Sequence, residues 1–128
     1  MGIGGVRMQD RFKFRIWKVS ENRMVVGVTY LNPFILDEKI NPDEAKNNIL
    51  MQCTGLKDKN GKLIYEGDIV KTKYTTPSGV DMEKICKVNF DRCAYWINNG
   101  YSAFYLDNEN CIYEIIGNIY ENPELLEE

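Results

Sequence analysis

The side chains in this sequence with the means to do chemistry are four cysteines, Cys53, Cys86, Cys93 and Cys111, and two close carboxylates, Glu66 and Asp68. A nucleophilic thiol is ordinarily activated by a histidine, a helix N-terminus or a nearby cation. The chain of 128 residues contains no histidine. Structural zinc draws on closely spaced Cys or His ligands, and no two of these cysteines form a CxxC pair. They read as reduced, mostly buried thiols. Glu66 and Asp68 would share one face of a strand at about 7 Å, and solvation explains them better than acid-base catalysis. Glycine-rich loops of the dinucleotide and P-loop kinds are absent. The sequence is therefore expected to specify no enzyme: no catalytic residue, no cofactor and no metal site.

Binding has more to work with. From Arg11 the chain alternates strictly, with Phe12, Phe14 and Ile16 on one side and Arg11, Lys13, Arg15 and Trp17 on the other, followed by Lys18. A basic row on a strand suits nucleic-acid phosphates, with Lys57, Lys59 and Lys62 as a second cluster at a turn tip. Solvent-facing charge that keeps a strand soluble and guards its edge is the preferred reading. An acidic balance opposes nucleic acid: the net charge is −3, and residues 101–128 hold seven acids and no base. Residues 1–23 hold six Lys or Arg against two acids, so the two ends are complementary and could neutralise each other between copies. Trp17, Tyr95, Trp96, Tyr101 and Tyr105 are the aromatic candidates for an interaction surface, against barrel core as their ordinary role.

The elements that must position these residues are short strands. Arg11–Trp17 and Met24–Leu31 read as a β-hairpin. Asn41, Pro42, Asp43 and Glu44 carry the start signals of a helix, expected from Pro42 to Ile49. Asn60-Gly61 marks a tight reversal, and Gly67-Asp68 a second bend. "KICKVNF" places Cys86, Val88 and Phe90 on one face, and Asn98-Asn99-Gly100 joins a further hairpin. "CIYEII" is a last strand, and Asn122-Pro123 opens one helical turn. The fold class expected is mainly β with minor α (α+β): an N-terminal β-hairpin and a short helix, then a small SH3-like antiparallel β-barrel. By segment this is a flexible leader at 1–10, with Met8 an alternative start, the hairpin and helix at 11–52, and the barrel at 53–126. No long apolar run is present, so no membrane association is expected and the protein reads as cytoplasmic.

Three blocks, "FKFRIWKVSENRMV", "LMQCTGLKDKNGKLIYEGDIV" and "EIIGNIYENPELL", closely resemble the signature blocks of the YopX family of bacteriophage- and prophage-encoded proteins. Cys53 departs from the aromatic expected before Thr54-Gly55, and residues 75–112 carry no family pattern. The resemblance implies a β-rich accessory protein of a bacterial host's cytoplasm that assembles as a homo-oligomer, with no catalytic or ligand-binding residue to carry over. Its signature residues Thr54, Gly55, Asn60, Gly61, Gly67, Asp68, Gly117 and Asn118 look like turn formers. The function expected is a non-enzymatic protein-interaction module that self-associates, with a host or phage protein as a further partner. The alternative is a nucleic-acid-binding protein using the basic N-terminal strand.

Overall fold

The computed structural model describes residues 13–28, 48–106, 109 and 111–127. Nine strands run in chain order: β1 (Phe14–Lys18), β2 (Arg23–Val28), β3 (Ile49–Lys57), β4 (Leu63–Tyr65), β5 (Asp68–Thr75), β6 (Asp81–Asp91), β7 (Ala94–Asn98), β8 (Ala103–Tyr105) and β9 (Cys111–Asn118). They form two antiparallel sheets, ordered β2-β1-β3-β4 and β8-β7-β6-β5-β9. A 3-10 turn at Pro123–Leu126 packs near β6.

The expected α+β class is corrected by this architecture. Among the described residues there is no α-helix, and there are two sheets rather than one small closed SH3-like barrel with a helical insert. The expected helix Pro42–Ile49 falls mostly outside the described residues, as do the leader at 1–10 and Arg11. Its last residue, Ile49, is instead the first of β3 and pairs with Trp17. The reason is tertiary: β3 supplies the ladder that β1 needs on its second edge, and backbone groups there must be paired. β3 also crosses residues 52–53, pairing with β1 through Ile49–Gln52 and with β4 through Cys53 and Lys57.

The barrel does not close as one sheet because the chain changes sheets at Gly67. The Gly67 N–H donates to Val88 O at 2.8 Å, and the Ile119 N–H donates to Gly67 O at 2.8 Å, so this turn bonds to the second sheet on both sides. Gly67 has φ +84°, and a Cβ there would lie 2.9 Å from Met51 Sδ. Glycine meets both demands at once.

One core cluster lies on a face of the second sheet, and Ile16, Trp17, Met51, Cys53 and Ile69 are buried outside it. Val70, Cys86, Val88, Ile97, Leu106 and Tyr113 pack with Ile64 from β4, and Leu56 of β3 closes over them. Each fully buried aliphatic side chain contributes about 1.5–3 kcal/mol. The Tyr113 hydroxyl donates to Leu106 O, fixing the segment after β8 onto β9. Asp58 ties the β3–β4 turn to the same sheet: its Oδ1 accepts from the Asn60 and Lys62 N–H groups, each at 2.9 Å, and its Oδ2 accepts from Ile115 N–H at 3.0 Å. Burial pushes this carboxyl up, but the three backbone donors and the Lys62 charge outweigh it and hold it below its ordinary value.

Two outcomes are expected. Gly67→Ala destabilises by about 1–3 kcal/mol in urea denaturation, and Gly61→Ala, also at positive φ but with nothing within 4 Å, by about 1 kcal/mol. Asp58→Asn loses the acceptor for Ile115 and costs about 1–3 kcal/mol at neutral pH. Because the folded-state pKa of Asp58 is depressed, its stabilisation is fully present above the ordinary value of 3.8 and is lost as pH falls through the folded value. The gap between wild type and the variant therefore narrows in acid, which acid-range denaturation curves measure.

Candidate functional site

The residues singled out by sequence separate into two places. Arg15 and Trp17 lie on the face of β1 that turns inward, not in a solvent-facing row, and Lys13, just before β1, is half-buried. Arg15 is 7% exposed and Trp17 6%. Alternation assigned this face to water because a basic side chain normally belongs there, yet Ile16 on the opposite face is buried as well, so β1 is covered on both sides in its middle.

Arg15 goes inward because a complementary group waits for it. Its Nη1 lies 2.8 Å from Asp68 Oδ1, and its Nη2 donates to Glu66 O at 2.9 Å. The guanidinium sits over the Tyr65 ring, 5.0 Å from the centroid. Asp68 Oδ2 accepts from Tyr65 N–H at 2.8 Å. Burial pushes the Asp68 carboxyl above its ordinary value, against the opposing pull of Arg15 and of the Tyr65 N–H. Burial likewise raises Glu66, whose Oε2 accepts from Gln52 N–H. Beside this cluster Trp17 stacks on Tyr120, with centroids 5.5 Å apart and planes at 18°. A salt bridge with both partners buried and bonded on both sides is a joint between two sheets.

Lys18, the remaining described member of the basic row, is half-buried, with its Nζ 3.7 Å from Glu21 Oε2. The turn-tip bases are exposed, and Lys59 Nζ lies 3.5 Å from Glu114 Oε1. The expected basic strip is thus divided between a buried pair and paired surface charges.

The second place is the far end of the five-stranded sheet. Trp96 and Tyr105 are cross-strand partners in the β7–β8 ladder and stack with centroids 4.4 Å apart. Trp96 Nε1 donates to Asp91 O at 2.9 Å. Tyr105 is 60% exposed, and Tyr101, in the reversal between β7 and β8, is 85% exposed. Tyr95 points to the other face, half-buried, packing edge-on against the exposed Phe90. The reversal is built by Asn99, whose Oδ1 accepts from the Tyr101 and Ser102 N–H groups at 2.9 and 2.8 Å. β8 is the last strand of its sheet, and all three of its residues are exposed. Four of the five aromatic candidates therefore gather at this end, and Trp17 does not. Phe104, at 47% exposure, stands at the same end but on the opposite face of β8, across from Ile97, and was missed because alternation places it on the core-bearing face.

The cysteines do not converge into one site. Cys53 and Cys86 are buried, Cys111 is half-buried, and Cys93 is exposed in the β6–β7 turn. Burial raises the thiols of Cys86 and Cys111, the opposite of activation. Among the described residues no group of three or more Cys, Asp or Glu could hold a metal ion, and no helix is long and apolar enough to cross a membrane.

Comparison with known proteins returns a consistent set. The family model described as YopX protein matches residues 13–127. The solved structure of protein yopX from Bacillus subtilis superposes with a TM-score of 0.60 at 21% identity, covering 91% of this chain and 96% of that one. Protein EF1440 from Enterococcus faecalis is similar with a TM-score of 0.53 at 28% identity, covering 90% and 97%. No curated protein matches.

Removing one partner of the buried pair is expected to show its cost. Arg15→Met leaves Asp68 buried without its cation, a loss of about 3–5 kcal/mol at neutral pH. The folded-state pKa of Asp68, already raised, rises further in this variant. The penalty is therefore small near the ordinary carboxylate value of 3.8 and grows as pH climbs through the folded value. The Arg15→Met/Asp68→Asn double variant removes that added pH dependence, as denaturation midpoints across the acid-to-neutral range check.

Proposed function

The chain belongs to the YopX protein family, and from that premise we propose that it is a phage or prophage accessory protein that acts without catalysis, as a protein-interaction module that self-associates. The observation that carries this reading is the aromatic end of the second sheet. Tyr101, in the β7–β8 reversal, and Phe104 and Tyr105, on β8 itself, stand exposed, and among the described residues β8 pairs only with β7. Large aromatics on a free edge are costly to leave in water and are the usual anchors of an interface.

The occupant proposed is a second copy of the chain. Composition is compatible with it: the C-terminal segment presents Glu121, Glu124 and Glu127 at the surface, and residues 1–12 contribute Arg7 and Arg11, while Arg15, Lys18 and Arg23 are paired within the chain. An edge strand such as β8 can also pair with its own copy through backbone hydrogen bonds. The nucleic-acid alternative has less to draw on, since Arg15 is held by Asp68 and Lys18 lies beside Glu21.

Size-exclusion chromatography with light scattering tests the proposal. A mass above the 14.9 kDa of one chain is expected, rising with concentration. The exposed double variant Tyr101→Ser/Tyr105→Ser should weaken association by at least about tenfold. A constant monomer mass from about 1 to 500 μM overturns the reading. Binding of mixed-sequence DNA or RNA at about 50 mM salt, lost at higher salt, would favour the alternative instead.

A further inference from the structure

The face of the second sheet that carries the core does not end with the core. Beyond Val70 and Tyr113 the same face continues through Thr72, Tyr74, Lys84, Ile97 and Phe104 toward the β7–β8 reversal. Here the side chains leave a cavity of about 60 Å3, lined by these residues and by Cys86, Asn99, Ser102 and Cys111. A water takes roughly 10–15 Å3 on that scale, so a ring or a short chain fits and a nucleotide does not. Its walls are chiefly apolar.

Three of the polar groups around it have donor capacity to spare. Thr72 is 1% exposed, and its Oγ1 has no oxygen or nitrogen partner, only the weakly bonding Cys86 thiol beside it. A buried hydroxyl left in this state costs free energy that a ligand atom could recover. Asn99 spends its Oδ1 on the reversal, which leaves its Nδ2 to donate. Lys84, opposite Thr72 in the β5–β6 ladder, makes no ion pair among the described residues. No aspartate or glutamate lines the cavity. Thr72, Lys84 and Asn99 each bring a group able to donate, one of them cationic, to an apolar slot whose lining, Tyr74 and Ser102 hydroxyls included, holds no carboxylate.

We propose that this cavity is a binding site for a small organic anion, a carboxylate carried on a short aliphatic or aromatic body, with the body between Ile97 and Phe104 and the carboxylate taken by Lys84, Asn99 and the Thr72 hydroxyl. The site does not depend on self-association, since every group in it comes from one chain.

Amide and methyl NMR titration of the full-length protein with benzoate and butyrate, each against benzyl alcohol and butanol, tests it. The expected result is saturable shifts confined to Thr72, Lys84, Ile97, Asn99 and Phe104, with the carboxylates binding more tightly than the alcohols. Lys84→Gln, a half-buried surface change that leaves the core intact, should weaken benzoate by about tenfold and leave benzyl alcohol unchanged. Thr72→Val, matched in shape, should weaken both. No saturable shift at about 20 mM overturns the proposal. So does equal affinity for acid and alcohol, or shifts centred elsewhere.

Discussion

One buried ion pair decides how this chain is put together. Arg15 of the N-terminal strand and Asp68 at the head of the second sheet are both removed from water, and each is a liability without the other. Their meeting requires β1 to lie with its polar-looking face inward and requires β5 to begin where Tyr65 N–H can hold the second carboxylate oxygen. The Tyr65 ring beneath the guanidinium and the carbonyl of Glu66 complete the arrangement. A pair of this kind adds modestly to stability compared with apolar packing, but it penalises any arrangement in which one member lacks its partner. In this fold the disfavoured alternatives are those in which the N-terminal strands pack elsewhere.

The path of the backbone follows from that pair. β3 is shared between the N-terminal hairpin and the β4 strand, so the first sheet cannot form without the segment that leads into the second. Gly67 then carries the chain across with hydrogen bonds to Val88 and Ile119, in a conformation and at a closeness that a larger residue would resist. Asp58 makes a second tie by accepting from Ile115 across the gap between sheets. Two carboxylates, one ion-paired and one capped by backbone donors, thus reinforce a junction that Gly67's backbone bonds and the packing of Ile64 and Leu56 also hold.

What is left over faces outward. The joint consumes the cation that might have met phosphate, and the aromatic side chains the core does not need collect around β7 and β8. The same end of the sheet holds both an exposed patch and a small donor-lined slot, because the core stops short of the reversal built by Asn99. The functional reading rests on that division: one end of the sheet holds the chain together, and the other carries the exposed aromatics.

Local chemistry made much of this legible in advance. Asn60-Gly61 and Asn98-Asn99-Gly100 reverse the chain where those residues demand it, Cys86 and Val88 face the core as their alternation requires, and Asn122-Pro123 does open a short turn, although the Asn122 side chain accepts from Asn118 N–H instead of capping that turn. The reversal at Arg92-Cys93, both at positive φ, carried no glycine to announce it. Sequence alone determined that short pleated segments alternate with sharp turns, because those preferences act over a few neighbouring residues. Only the tertiary structure decided that Arg15 turns inward, that Ile49 joins a strand, and that the strands divide into two sheets. Each of those outcomes depends on a partner far along the chain, and an electrostatic or ladder partner at that distance leaves no mark on local periodicity.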